Sequence, residues 1–155
     1  MLQGRSRRPG RFGATVVEAA FVILTLLIFL FAIFEYGRYT MIRHVVANAA
    51  REGVRLAAGA NVNDTNSFNY QTTATVTAAV RTSMGGQDQA LTNPNVQVYL
   101  ADANGNNIGT WTNAQAGQNI AVEIDATYSP LFPTFGFLPL NVAVFAKSVM
   151  QTEAN

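Results

Sequence analysis

Few side chains in this 155-residue sequence are of the kinds that do chemistry, and their spacing narrows what they could do. There is one histidine, His44, and no cysteine, so a thiolate nucleophile, a disulfide and a thiolate-ligated metal are excluded. No Asp or Glu pair recurs at the spacing of a metal site or of a general acid and base, and the glycines form no phosphate-cradling loop. Asp102-Ala103-Asn104-Gly105-Asn106-Asn107 is rich in oxygen ligands. Its glycine is misplaced for an EF-hand and no glutamate follows at the right distance, so it reads as a hairpin turn. The expectation is no catalytic residue, no metal and no cofactor. What remains are the charges set in and around one apolar run, above all Glu18 within it.

The apolar run explains why those charges matter. From Ala14 to Phe34 the chain is apolar except for Thr15, Glu18 and Thr25, with neither Gly nor Pro, which marks a membrane-helix candidate. Its charge-free part, Ala19 to Phe34, would rise only about 24 Å, short of the roughly 30 Å hydrocarbon core. To span, the helix must recruit Ala14 to Val17, which places Glu18 at or inside the membrane boundary. A carboxylate there costs on the order of a few kcal/mol at the bilayer centre and less near the interface, so it either reaches back to the headgroups or finds a positive partner.

Composition and charge agree. Hydrophobic residues make up 49% and charged ones 12%, about half the charge usual in a soluble domain. Residues 1–60 hold eight Arg against three Glu, while residues 61–155 hold two basic and six acidic side chains. One end is suited to anionic headgroups and the other to water; a nucleic-acid binder would carry its basic face on the folded domain instead. Arg5, Arg7, Arg8 and Arg11 form a basic tail that the positive-inside rule keeps in the cytoplasm, with the C-terminal part exported. A signal peptide opens in the same way, but Phe31-Ala32-Ile33-Phe34-Glu35-Tyr36 offers no small-x-small cleavage site.

Beyond Phe34 the helical pattern continues. Tyr39, Ile42, Val46, Ala49, Gly53 and Leu56 recur at spacings of three and four, while Arg38, Arg51, Glu52 and Arg55 fall elsewhere, and Gly59 is placed to end the helix. The small residues Ala49, Ala50, Gly53 and Ala57 permit close helix packing, either on the chain's own domain or on a partner helix.

Gly13-Ala14-Thr15-Val16-Val17-Glu18, after a basic tail and opening a long apolar helix, resembles the processing site of type IV pilin-like proteins. Phe34-Glu35-Tyr36-Gly37-Arg38 and Asn48-Ala49-Ala50-Arg51-Glu52-Gly53-Val54-Arg55-Leu56-Ala57-Ala58 resemble, more specifically, the TadE-like pseudopilins of the tight-adherence (Flp) pilus system. The resemblance implies that a prepilin peptidase cuts between Gly13 and Ala14 and that Glu18 pairs, in assembly, with the amine thus freed on a neighbouring subunit. It implies a membrane-exit motif at Glu35, Tyr36, Gly37 and Arg38. The implied partners are other pilin-like or pilus-assembly proteins, the peptidase and the lipid bilayer, with no nucleic acid and no small-molecule substrate. The implied place is the bacterial inner membrane, crossed once.

The expected layout is a leader at 1–13, a transmembrane helix at 14–34, an exported continuation at 35–58 and an exported α+β domain at 59–155. Ala60 to Thr73 reads as a loop, and Thr73 to Met84 as a short amphipathic helix ended by Gly85-Gly86. Val96 to Leu100, Ile120 to Tyr128 and Val142 to Met150 alternate as strands, giving a small antiparallel sheet of about three to four strands. Leu131 to Leu140 is a Pro- and Gly-containing loop, apolar enough either to cover the sheet or to touch lipid or a partner. Two functions fit: a pseudopilin-like assembly component, or an uncleaved single-pass anchor presenting a binding module.

Overall fold

A computed structural model describes residues 12–59, 71–131 and 141–152. The basic tail, residues 60–70 and 132–140, on which the two predicted loops largely fall, and residues 153–155 lie outside the described residues.

The long helix expected from the sequence is present as one uninterrupted element, α1, Phe12–Ala58. At 1.5 Å per residue its 47 residues extend about 70 Å. It ends where Gly59 N–H still reaches the Arg55 carbonyl at 3.3 Å. The helix has two unlike halves. Between Gly13 and Phe34 every residue is exposed except Phe31, which is half-buried. From Glu35 onward a stripe at helical spacing is buried: Ile42, Val46, Ala49, Ala50, Gly53, Val54, Ala57 and Ala58.

What buries that stripe is an α+β unit. α2, Thr73–Ser83, begins with a capping box in which Thr72 and Thr75 satisfy each other's backbone N–H groups. It presents Val76 and Val80 to α1 and terminates at Gly85 and Gly86, both in the left-handed region at φ +58° and +81°. Four antiparallel strands follow: β1, Leu91–Ala101; β2, Asn107–Gly109; β3, Asn119–Tyr128; and β4, Val142–Gln151, in the spatial order β2-β1-β3-β4. β3 is the centre of the sheet, and its inward row of Ile120, Val122, Ile124, Ala126 and Tyr128 is buried throughout, as the alternation predicts. Each fully buried Val or Ile of this kind contributes about 1.5–3 kcal/mol.

β1 is longer than the Val96–Leu100 pattern suggests. Asn93 adopts φ +52°, and the register against β3 breaks between Thr92 and Asn95. The bulge shifts the side-chain alternation by one position and so hides the first part of the strand from a period-two reading. Trp111, in a 3-10 turn after β2, is also buried and donates from Nε1 to Thr73 Oγ1 at 2.8 Å, tying the β1–β2 hairpin to the start of α2.

α1 approaches its neighbours closely at Gly53. A methyl group there would run into the Val80 side chain and lie 3.4 Å from Val122 Cγ1. Both neighbours are buried and β-branched, with little rotamer freedom to yield. At Gly37, on the same helix, a methyl group meets nothing within 4 Å. Opposite signs are therefore expected for one substitution. Gly37→Ala gains the helix propensity of about 0.5–1 kcal/mol. Gly53→Ala loses that gain and more to overpacking of about 1–3 kcal/mol. Thermal unfolding of the two variants in detergent checks this; equal shifts would contradict it.

Candidate functional site

The charges that the sequence leaves over separate into two places along α1. At its start, Gly13 and Ala14 are exposed and Glu18 lies about 7 Å further on, also exposed. Among the described residues nothing pairs with Glu18. Around it Val16, Val17, Phe21 and Val22 are 61–71% exposed, and the apolar surface continues through Phe34. This half of α1 has a mean hydropathy of 2.8 over its most apolar 18 residues, none of them buried, and is long and apolar enough to cross a membrane. A patch of this size far exceeds what water-facing monomers carry.

The second place is one residue past that surface. Glu35 is the only buried charged residue among the described residues, with 9% of its surface exposed. Tyr128, at the end of β3, donates its hydroxyl proton to Glu35 Oε1. The Leu131 N–H donates to the same oxygen at 3.2 Å. Arg38, one helical turn on, donates from Nη1 to the Tyr128 hydroxyl at 3.0 Å and lies 3.8 Å from Glu35 Oε1. Its guanidinium carbon sits 5.2 Å over the Tyr128 ring, and Tyr39 packs against that ring at a tilt of 56° with centroids 5.6 Å apart. Carboxylate, phenol and guanidinium thus close a network between α1 and the end of β3. Burial, followed by the bond to the Glu35 carboxylate, pushes the Tyr128 phenol up to about 12.

The sequence motif Glu35-Tyr36-Gly37-Arg38 therefore divides. Glu35 and Arg38 come together with Tyr128, whereas Tyr36 is 73% exposed and Gly37 borders open space. Tyr128 and Glu35 are 93 residues apart, and nothing in the sequence pairs them. The available signal is that a tyrosine ending an inward-facing row needs a partner for its hydroxyl.

The small residues Ala49, Ala50, Gly53 and Ala57 are buried within the chain itself, against α2 and the sheet. His44 is exposed on the opposite face of α1. The Asp102 turn uses its own carboxylate: Oδ1 accepts from the backbone N–H groups of Asn104 and Asn106, both at 2.8 Å, and Oδ2 from the Asn106 side chain at 2.9 Å. Those bonds hold the Asp102 carboxyl below its usual value and leave it occupied as a turn residue. Among the described residues no group of three His, Cys, Asp or Glu side chains could hold a metal ion.

Residues 13–55 match the family model described as TadE-like protein. The matched stretch runs from the Gly13 site through the joint at Glu35 and Arg38 to Arg55, and so bears out the resemblance read there. No curated protein and no solved structure matches the chain.

Tyr128→Phe tests the joint without disturbing the ring contacts. Removing the hydroxyl leaves the Glu35 oxygen short of a donor, at a cost of about 1–3 kcal/mol near neutral pH. The folded pKa of Tyr128 lies above its ordinary 10, at about 12. Its contribution is therefore complete below pH 10 and lost as pH rises toward 12. Chemical unfolding of the two proteins at about pH 8 and about pH 11.5, on either side of the ordinary phenol range, should show a smaller alkaline loss in the variant; identical losses would contradict the assignment.

Proposed function

We propose that this chain, TadE-like over residues 13–55, is a membrane-anchored, pseudopilin-like assembly component of a tight-adherence pilus or a related secretion apparatus. The observation that carries the reading is the division of α1. One half exposes a continuous apolar surface for which the described residues supply no cover, and the other is buried by a compact α+β unit fastened at the boundary.

In this reading residues 14–34 cross the cytoplasmic membrane with the basic tail inside, and the unit after Glu35 lies outside it. The span from Gly13 to Phe34 rises about 32 Å, close to the roughly 30 Å hydrocarbon thickness. Glu18 then lies within the lipid, near its inner edge. A prepilin peptidase cutting after Gly13 frees the amine of Ala14, a positive charge at that same edge. Pairing this amine with Glu18 of a neighbouring subunit relieves two poorly solvated charges together and fixes the axial offset between adjacent helices. The work is structural: the chain supplies contacts and spacing to other pilin-like proteins, and its residues carry no reaction.

The expected mature chain begins at Ala14 in cells that contain a prepilin peptidase and at Met1 in cells that lack it, as read by mass spectrometry of the purified protein. Glu18→Gln should leave cleavage intact and lower recovery of the protein with its pilus-assembly partners by about tenfold or more, the loss expected when a charge in lipid loses its counter-charge. An uncleaved N-terminus in both strains favours an anchored module that is never assembled, and normal assembly of the Glu18→Gln variant removes the charge-pairing step.

A further inference from the structure

The outer face of the sheet, away from α1, carries rows of directly opposed side chains across β1, β3 and β4. The row Gln97–Glu123–Lys147 and its neighbour Tyr99–Ala121–Val149 are joined through Tyr99, Glu123 and Lys147. Tyr99 donates to Glu123 Oε2 at 2.6 Å, and Lys147 Nζ lies 3.5 Å from that oxygen and 5.5 Å over the Tyr99 ring. The next row, Asn95–Asp125–Phe145, is open. Phe145 leaves 56% of its surface in solvent, directly opposite a carboxylate. Asn95 and Asp125, with Asn93 and Thr127 beside them, spend no side-chain hydrogen bond or ion pair among the described residues.

These residues line a shallow recess of about 260 Å³. Its rim is shaped by the β1 bulge, where Asn93 holds φ +52° immediately before Pro94. That backbone region is sparsely populated by residues other than Gly and disfavoured before proline. Conformations of this kind concentrate at sites that bind.

The lining selects among ligands. The Asp125 charge, on a half of the chain that is net acidic, disfavours anions such as phosphates and nucleic acids. A purely apolar ligand would leave the carboxylate and two amides unpaired. The volume is below the ~300–1,000 Å³ of pockets that enclose drug-sized molecules, so a single small ring suits it better. An uncharged sugar ring has both required surfaces: a C–H face for the exposed aromatic and an edge of hydroxyls that donate to a carboxylate and exchange bonds with amides. We propose that the recess formed by Asn95, Asp125 and Phe145, with Asn93 and Thr127 at its rim, binds an uncharged pyranose, stacked on Phe145 and hydrogen-bonded to Asp125 and the amides.

Asp125 precedes Tyr128 by three residues, about 10 Å along the strand, and Tyr128 is bonded to Glu35 where the apolar surface of α1 ends. At that level the sugar could belong to a soluble polymer or to a lipid headgroup. The site goes beyond the assembly reading and stands whether or not the chain is cleaved at Gly13.

The test uses the full chain in phosphatidylcholine nanodiscs, titrated with maltohexaose, chitohexaose and mannohexaose by saturation-transfer NMR and calorimetry. At least one should bind with a Kd of about 1 mM or tighter. Phe145→Ala should weaken it at least tenfold and Asp125→Asn severalfold, Phe145→Trp should preserve it, and Arg81→Ala, on α2, should leave it unchanged. A second set of discs containing glucosyl diacylglycerol separates the sources: a lipid-borne sugar depresses hexaose affinity, and a soluble one does not. Phe145 is exposed enough for its alanine variant to keep the parent's thermal midpoint. Failure of all three hexaoses to bind at about 10 mM, or binding that survives in a folded Phe145→Ala protein, overturns the proposal.

Discussion

A carboxylate that accepts from a phenol and a backbone amide and lies beside a guanidinium, at the position where an apolar helix surface stops, holds this molecule's two parts in one geometry. Glu35 belongs to α1, Tyr128 to the last residue of the central strand, and Leu131 to the segment just past it. Burial of Glu35 is tolerable because its oxygen is supplied with donors; stripped of them, a charge with 9% of its surface exposed would be a heavy liability. The network also sets where along α1 the sheet begins. Since β3 pairs with both β1 and β4, fixing the Tyr128 end of β3 fixes the height of the whole sheet along the helix.

That height separates two ways of stabilising one continuous helix. After Glu35, α1 is stabilised by burial: valines, isoleucines and alanines meet Val76, Val80 and the inward row of β3, and Gly53 lets the backbones approach where a methyl group would not fit. Before Glu35, half-buried Phe31 apart, the same kind of side chain is left outward. A lipid environment would provide there what the domain provides beyond, while backbone hydrogen bonding along α1 is unbroken through both. The helix needs no kink, and neither proline nor glycine lies between Ala14 and Phe34.

Most of this was readable from residue order because the signals were local. The extent of α1 follows from an apolar run joined to a three-and-four spacing, α2 from its apolar stripe and double glycine, and β3 and β4 from strict alternation. β1 was only half legible, since one extra residue at Asn93 reverses which side chains face inward. The two elements of the joint were named for different reasons, Glu35 and Arg38 from a motif and Tyr128 from a strand pattern. Their meeting depends on tertiary geometry that no spacing encodes. Trp111 escaped for a similar cause: its neighbours show no period, and its place depends on packing beside β1 and on a bond to Thr73, 38 residues earlier in the chain. The open row on the outer face was equally invisible, because it requires the cross-strand register of three strands.

The fate of the small-residue stripe narrows how such a chain meets others. Ala49, Ala50, Gly53 and Ala57 are the residues best suited to close helix contact, yet the chain's own α2 and sheet already occupy them. A partner helix could reach them only by displacing that core. On the proposed assembly reading, helix-to-helix contacts between subunits would then fall on the apolar half of α1 or on the exposed face that carries Tyr36, Met41, Arg43 and His44. In the first of these zones the surroundings are as apolar as the partner, so hydrophobicity gives little preference for one neighbour or register over another. A single charge does. If the chain assembles as proposed, Glu18, the one acid in the apolar half, would set register by where its counter-charge lies, and the sheet, held at fixed height by Glu35 and Tyr128, would be carried to a matching position in every copy.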